Sequence, residues 1–188
     1  MPLLSLEPFI FPNNLFESSE LEPDATWWVL HTKPRQEKAV ARHLYQAQVP
    51  FYLPLLERRN IIRGRVMSSF NPLFCSYVFL RGLPEQRIEA LNTKRLVRTI
   101  DVHDQQALIH DLSNLHRMIA AGLPVTPEDH LYPGVKVRIR SGPLEGLEGK
   151  IIREASKARF VVQVDFIQRG ASIVLDEFML AAISESEG

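Results

Sequence analysis

Cysteine is almost absent from this chain. Cys75 is the only one among 188 residues, so no disulfide can form within the chain. A protein without a disulfide framework suits a reducing compartment. No run of about 18 apolar residues is present, which excludes a hydrophobic transmembrane helix. The first residues also lack the basic segment and the small-residue cleavage site of a secretory signal. We therefore expect a soluble, cytoplasmic protein that does not bind a membrane.

The motifs of common catalytic and metal sites are also missing. The sequence contains no Cys-x-x-Cys pair and no glycine-rich phosphate loop. His103, His110 and His116 are not spaced like the histidines of a helical zinc site, which lie one helical turn apart. Cys75 lies in an apolar stretch, where we expect a buried and inert thiol. The sequence thus predicts no enzyme, no cofactor and no metal site.

Charge is distributed unevenly along the chain, although the net charge is zero. Residues 1–24 carry five acidic side chains and no basic one. Residues 25–122 carry fourteen Lys and Arg against seven Asp and Glu, and residues 123–188 carry eight against ten. A basic middle segment predicts a polyanionic partner, or an acidic protein close to one. A solvated basic surface is the alternative that charge alone leaves open.

Hydrophobic periodicity predicts an extension followed by an α+β domain. Residues 1–24 mix Pro, Asn, Ser and acids without a period, which predicts an acidic extension that is flexible or loosely docked. Residues 25–121 follow the order β-α-β-β-α-β-α, which predicts helices packed on a mainly antiparallel sheet. We expect strands at 27–32, 51–56, 74–80 and 96–100, and helices at 34–48, 84–93 and 104–121. A basic hairpin is expected between the second and third strands.

The remainder of the chain predicts a second, smaller domain. Prolines and the lack of a hydrophobic period indicate a linker at residues 122–132. Residues 133–183 consist of short strands with glycines at the corners, which favours a small SH3-like β-barrel over a helical domain. We expect its strands at 135–140, 150–154, 159–166 and 171–175.

Two parts of the sequence resemble a known family. Residues 133–139 (PGVKVRI) and 142–151 (GPLEGLEGKI) resemble a KOW motif, in which a tight glycine-containing loop joins two strands. Residues 27–44 (WWVLHTKPRQEKAVARHL) and 72–80 (PLFCSYVFL) resemble parts of the N-terminal domain of NusG. Both resemblances occur in the domain order of that family. The chain is thereby identified as a member of the NusG family of transcription elongation and antitermination factors.

Within the family, the hairpin and the Pro-Leu-Phe run look more like the specialised RfaH-like paralogues than the housekeeping factor. A housekeeping NusG remains an alternative. A second alternative is a KOW-type, ribosome-associated RNA-binding protein, because KOW motifs also occur in ribosomal proteins. Co-purification with RNA polymerase or with ribosomal RNA separates these interpretations.

The resemblance implies that residues 25–121 bind the clamp helices of the largest RNA polymerase subunit through an apolar depression. Binding across the DNA cleft would then promote processive elongation. On this sequence the depression would be lined by Trp28, His31, Phe74 and Tyr77. We expect a monomer in the absence of polymerase.

The resemblance also implies two further contacts. Four arginines of the predicted hairpin would lie near upstream or non-template DNA, where guanidinium groups pair with phosphates: Arg58, Arg59, Arg63 and Arg65. The KOW domain would recruit a second partner, either Rho or a small-subunit ribosomal protein, through Phe166, Ile167 and Arg169. There we expect Ile167 to be exposed as an anchor and Phe166 to belong to the core.

Overall fold

The computed structural model describes residues 8–17, 24–62, 65–128, 134–154, 157–174 and 180–182. The chain forms two compact units, residues 1–105 and residues 106–188. Within the described ranges, none of the helices combines the length and the apolar character needed to span a membrane.

The first unit is an antiparallel sheet with two helices and a separate hairpin. Its elements are β1 (Ile10–Phe11), β2 (Thr26–Thr32), α1 (Glu37–Gln46), β3 (Phe51–Tyr52), β4 (Leu55–Ile62), β5 (Arg65–Pro72), β6 (Tyr77–Gly82), α2 (Pro84–Asn92) and β7 (Leu96–Asp101). Five strands form the sheet in the order β1-β3-β6-β2-β7, and β4 and β5 pair with each other as a two-stranded sheet. All described strand pairs are antiparallel. This arrangement confirms the predicted α+β fold class.

Alternation along β2 gives the sheet two different faces. Trp28 and Leu30 lie on one side, each sharing that side with its antiparallel partner on β6. They pack in one core cluster with Val40 and Leu44. These two residues lie at helical spacing on α1, so the helix turns its apolar stripe toward the sheet. We call this side the helical face.

The opposite side of the sheet carries aromatic side chains from three strands. Cross-strand partners share a face, so His31 lies beside Tyr77, and Phe79 lies between Val29 and Tyr52. Trp27 belongs to the same side because it is two positions from Val29. We call this side the aromatic face, defined by Trp27, His31, Tyr52, Tyr77 and Phe79. Complete burial raises the pKa of the Tyr52 hydroxyl, which keeps this group neutral.

Residues 8–17 of the predicted N-terminal extension are docked on the first unit. Within this segment β1 pairs with β3 at the edge of the sheet. Leu15 is buried, and the ring of Phe16 stacks on Trp27 with 6.0 Å between centroids. The segment is held because its apolar side chains are buried, although they follow no helical or strand period. Residues 1–7 and 18–23 of the predicted extension lie outside the described residues.

The second unit consists mainly of one helix and a six-stranded antiparallel sheet. Its elements are α3 (Gln105–Ala120), β8 (Thr126–Glu128), β9 (Val135–Ile139), β10 (Glu148–Glu154), β11 (Lys157–Val164), a 3₁₀ turn (Asp165–Ile167), β12 (Arg169–Val174) and β13 (Leu180–Ala182). The first residue of α3, Gln105, is the last residue of the first unit. The strand order is β13-β9-β10-β11-β12-β8. The predicted C-terminal β-domain is thus confirmed. Glycine is required at position 149, because a Cβ atom there would lie 2.6 Å from the carbonyl oxygen of Val161.

Part of the predicted linker is a strand of the second unit. Thr126–Glu128 forms β8 and pairs with β12. The carboxylate of Glu128 is buried, accepts a hydrogen bond of 2.5 Å from the hydroxyl of Ser172, and forms an ion pair with Arg159. These contacts attach residues 126–128 to the sheet. The outer limits of the predicted domains, at residues 25, 121, 133 and 183, stay predictions.

Candidate functional site

The aromatic face ends in a partly exposed pair of rings. His31 and Tyr77 lie directly opposite each other on β2 and β6. Their ring centroids are 5.3 Å apart, and the ring planes differ by 20°. The Nδ1 atom of His31 is buried and has no hydrogen-bond partner among the described residues. The pair offers a partner a partly exposed aromatic surface.

Phe74 lies in the core in this structure. Its side chain is 2% exposed, and its ring meets Phe79 edge to face at a centroid distance of 6.4 Å. Phe79 belongs to the aromatic face, so Phe74 packs on the same side of the sheet as the His31–Tyr77 pair. The expectation that Phe74 lines an exposed depression does not agree with this burial.

Trp28 is separated from the other three predicted polymerase-binding residues. It lies on the helical face and is 7% exposed. The guanidinium carbon of Arg87 lies 6.0 Å from the centroid of its ring. Because Trp28 and His31 are three positions apart on one strand, their side chains point to opposite faces. Of the four residues, the structure therefore brings only His31 and Tyr77 together at the surface.

The loop between β5 and β6 positions Tyr77. The buried carboxylate of Glu37 accepts a hydrogen bond of 2.7 Å from the backbone N–H of Ser76. The carbonyl of Ser76 accepts a second one, of 2.9 Å, from the N–H of Thr32. Ser76 has a positive φ of 67°, so the chain turns here and β6 begins only at Tyr77. This turn leaves Cys75 exposed, so the prediction of a buried thiol is wrong.

The predicted basic hairpin is formed by β4 and β5. The guanidinium of Arg59 donates two hydrogen bonds of 3.1 Å to the carboxylate of Glu57, and the hydroxyl of Ser68 donates a third, of 2.6 Å. The bond from Arg59 is the main reason why the pKa of Glu57 is lowered. Arg59 is thus engaged within the hairpin, whereas Arg58, one position earlier, is exposed on the opposite side. Arg63 lies outside the described residues, and for Arg65 only the backbone, at the start of β5, is described.

A basic pocket that the sequence did not reveal lies where β2 ends and β7 begins. The amino group of Lys33 donates a hydrogen bond of 2.8 Å to the carbonyl of Lys94. The N–H of Lys33 donates one of 2.8 Å to the carbonyl of Arg95, and the Arg95 guanidinium contacts the side chain of Gln36. The pocket has a volume of about 380 Å³ and is lined by Lys33, Pro34, Gln36, Thr93, Lys94 and Arg95.

The basic pocket, the base of the hairpin and the His31–Tyr77 pair share one end of the sheet. Thr32 at the end of β2 lies opposite Leu96 at the start of β7. His31 lies opposite Tyr77 at the start of β6, and the hairpin connects the end of β3 to this same point. Antiparallel pairing therefore places the aromatic pair and the basic pocket at the end of the sheet from which the hairpin extends. No group of three His, Cys, Asp or Glu in the described part of the chain is arranged to hold a metal ion.

The predicted partner-binding loop of the second unit includes the 3₁₀ turn between β11 and β12. Ile167 is buried, whereas Phe166 and Arg169 are partly exposed. Gln168 follows with a φ of 55°. The expectation of an exposed Ile167 and a core Phe166 is therefore wrong. The 3₁₀ turn explains why Ile167 is buried and Phe166 is partly exposed. It interrupts the period-two alternation of side chains that an extended strand β11 would continue.

Comparison with known proteins identifies the family of the first half of the chain. The family model described as "Transcription termination factor nusG" matches residues 25–118. The solved structure described as "Domain interaction in Thermotoga maritima NusG" aligns with a TM-score of 0.42 and 17% identity over 85% of this chain and 98% of that chain. The one described as "Crystal Structure of MjSpt4:Spt5 complex conformation B" aligns with a TM-score of 0.30 and 16% identity over 86% and 99%.

The two structural likenesses are too weak to carry an argument, so the assignment rests on the family model. The matched segment contains β2 to β7 and most of α3, and it includes both residues of the exposed aromatic pair and the cations of the basic pocket. The matched segment, residues 25–118, is half of the 188-residue chain. The chain therefore belongs to the NusG family.

Proposed function

We propose that this chain is a transcription elongation and antitermination factor that binds RNA polymerase with the His31–Tyr77 end of its first unit. The observation that carries the proposal is the partly exposed pair of stacked rings in a member of this family. Aromatic residues are enriched among the residues that contribute most to protein interfaces. The family resemblance makes the clamp helices of the largest polymerase subunit the expected partner surface.

The proposed mechanism is binding without catalysis. A protein that contacts both sides of the DNA cleft favours the closed, processive state of the polymerase over the open, paused state. It shifts this equilibrium by no more than its difference in affinity for the two states. We expect stronger binding to a processive elongation complex than to a paused one.

We further propose that the basic end of the first unit contacts upstream or non-template DNA. The support is the basic pocket with Lys33, Lys94 and Arg95, which lies at the end of the sheet from which the hairpin with the exposed Arg58 also extends. Cations that neutralise phosphates release counterions, so such binding weakens steeply with salt. We therefore propose the pocket residues, and not Arg59, as the principal contacts with DNA, because Arg59 forms an ion pair with Glu57.

Salt dependence tests the DNA contact. Changing Lys33, Lys94 and Arg95 together to serine is expected to flatten the plot of log affinity against log salt for a DNA duplex. Each lost phosphate contact reduces the slope by about 0.9, so the triple variant should lose between about 1 and 3. The control is Arg140→Ser, which removes an exposed cation of the second unit. Equal slopes for the parent and the triple variant would reject the pocket as a DNA contact.

For the second unit, we propose recruitment of Rho or a small-subunit ribosomal protein through the loop that contains Phe166 and Arg169. Partial exposure of both side chains supports this assignment. Ile167 then acts by holding the 3₁₀ turn to the core. The Pro-Leu-Phe run and the arginine-rich hairpin favour a specialised paralogue over a housekeeping factor. We therefore expect the same genome to encode a second, more typical copy of the gene.

Co-purification tests the proposed function as a whole. A tagged full-length chain expressed in its own cells should retain RNA polymerase subunits after nuclease treatment, because the main contact is with protein. Ribosomal RNA without polymerase would contradict the proposal and favour a ribosome-associated RNA-binding protein. A surface variant of the second unit, Phe166→Ser, should still retain polymerase.

A further inference from the structure

Phe16 covers one end of the aromatic face. Its ring stacks on Trp27, with 6.0 Å between the centroids, and meets the ring of Tyr52 edge to face at 5.2 Å. Tyr52 belongs to β3 and Trp27 to β2, and β6 lies between these two strands in the sheet. Phe16 therefore reaches across β6, and it contacts the end of β2 that lies opposite to the His31–Tyr77 pair.

The attachment of Phe16 differs from that of the strand before it. The backbone of β1 is held to the sheet by its pairing with β3. In the turn that follows, the N–H of Leu15 donates a hydrogen bond of 3.0 Å to the carbonyl of Pro12, within the segment itself. Phe16 is partly exposed, and its described contacts with the sheet are those of its ring. The ring can thus leave the aromatic face while β1 stays paired.

The end of the aromatic face near Phe16 contains two polar atoms that point to a partner. Arg81 on β6 lies directly opposite Trp27 on β2, so their side chains share this face. Nε of Arg81 and Nε1 of Trp27 are buried, and neither has a hydrogen-bond partner among the described residues. Burial lowers the pKa of the Arg81 guanidinium, because its charge is partly removed from water. Buried polar groups are nearly always hydrogen-bonded, so two neighbouring donors without an acceptor indicate a partner that supplies one.

The two donors and the dimensions of the face define the chemistry of that partner. A guanidinium pairs best with a carboxylate, and an indole N–H can only donate. Trp27 and His31 are four positions apart on β2, which corresponds to about 13 Å at about 3.3 Å per residue. About nine residues of a partner helix cover this distance at about 1.5 Å per residue. The face therefore suits one helix with an apolar surface and an acidic side chain.

We propose that Phe16 is a removable cover of the polymerase-binding surface. Polymerase displaces this ring, an apolar helix of polymerase packs on Trp27, and a carboxylate on that helix accepts hydrogen bonds from Arg81 and Trp27. This inference rests on the proposed contact between the His31–Tyr77 pair and polymerase. It extends that contact along the aromatic face and gives residues 8–17 a regulatory role. Only the uncovered fraction of the protein then binds at full affinity.

Phe16→Ala is expected to bind core RNA polymerase about fivefold more tightly than the parent, or better, because it removes the ring contacts that hold the cover closed. Titration of the fluorescently labelled full-length chain with core polymerase measures the affinity. Phe11→Ala is the matched control. Phe11 belongs to the same segment, but its ring packs on the helical face and against Tyr45. Its loss should change the affinity by less than about twofold.

Arg81→Gln should have the opposite effect and weaken polymerase binding by about tenfold or more, because it removes the charged donor that faces the carboxylate of the partner. Arg81→Lys keeps the positive charge and should recover part of the loss. Arg42→Gln is the control for loss of a cation. Arg42 is exposed on α1, which packs on the helical face, so this variant should bind like the parent.

Parent-like affinity of either Phe16→Ala or Arg81→Gln would overturn the proposal. Weaker binding of Phe16→Ala would also overturn it, since the ring would then support the contact instead of blocking it. Tyr77→Ala separates this inference from the proposed function. If Tyr77→Ala weakens binding while the other two variants behave like the parent, the polymerase contact stands and the cover is rejected. If none of the three variants changes the affinity, the polymerase contact fails as well.

Discussion

Replacing Tyr77 by alanine is expected to weaken binding to RNA polymerase by about 30-fold or more. The ring of Tyr77 is partly exposed and stacks on His31, so its removal deletes the proposed contact and exposes its partner ring. Truncation of an aromatic residue at the centre of an interface commonly costs about 2 kcal/mol or more, which corresponds to this factor. Titration of a fluorescently labelled full-length chain with core polymerase measures the change.

The matched control for Tyr77 is Tyr45→Ala. Tyr45 is an exposed tyrosine on α1, which packs on the helical face, so its loss should change polymerase affinity by less than about twofold. His31→Ala should resemble Tyr77→Ala, because each ring supports the other. Parent-like affinity of Tyr77→Ala, with the variant folded, would exclude this pair as the polymerase contact.

Replacing Phe74 by alanine is expected to destabilise the first unit by about 3–5 kcal/mol, the usual range for a buried phenylalanine. The cause is the cavity left beside Phe79, since the Phe74 side chain is nearly completely buried. Both tryptophans of the chain lie in the first unit, so their fluorescence during urea denaturation reports the unfolding of that unit. Phe74→Leu, which keeps most of the apolar volume, should cost much less.

The two substitutions therefore distinguish a core role from a surface role. Phe74→Ala should lower the urea midpoint and, where the protein is still folded, retain most of its polymerase affinity. Tyr77→Ala should keep a parent-like urea midpoint and lose polymerase affinity. A parent-like urea midpoint for Phe74→Ala would contradict its assignment to the core.

The regular elements of the fold were predictable because they depend on local patterns. The apolar spacing of Val40 and Leu44 predicted α1, and the strand-forming residues in 160–164 predicted β11. Gly142 and Gly146 have positive φ angles of 89° and 79°, as expected for the turns between short strands. Each of these signals lies within a few residues of the structure that it specifies.

The site was harder to predict because it depends on contacts between distant residues. Lys33 and Lys94 are 61 positions apart, and pairing of β2 with β7 brings them together. The buried carboxylate of Glu37 holds Ser76 across 39 positions, and this turn determines that Cys75 is exposed. The docking of residues 8–17 likewise depends on Trp27 and β3 rather than on any period in that segment.

One error was avoidable from the sequence. Trp28 and His31 lie in one predicted strand at positions of opposite parity, so strand geometry alone places them on opposite faces. The resemblance to a family grouped both residues in one depression, and the parity of their positions contradicted this grouping. The expectation for Phe166 and Ile167 was wrong for another reason, because the chain leaves β11 and enters a 3₁₀ turn at Asp165.

Site-specific crosslinking shows directly whether the His31–Tyr77 end of the aromatic face contacts RNA polymerase. A photoreactive phenylalanine derivative placed at Tyr77 preserves an aromatic ring there, and the same derivative at Tyr45 serves as the control on α1. After irradiation of the full-length chain in complex with polymerase, we expect a crosslink from position 77 to the clamp helices of the largest subunit and none from position 45. A crosslink from position 45 alone would contradict this contact.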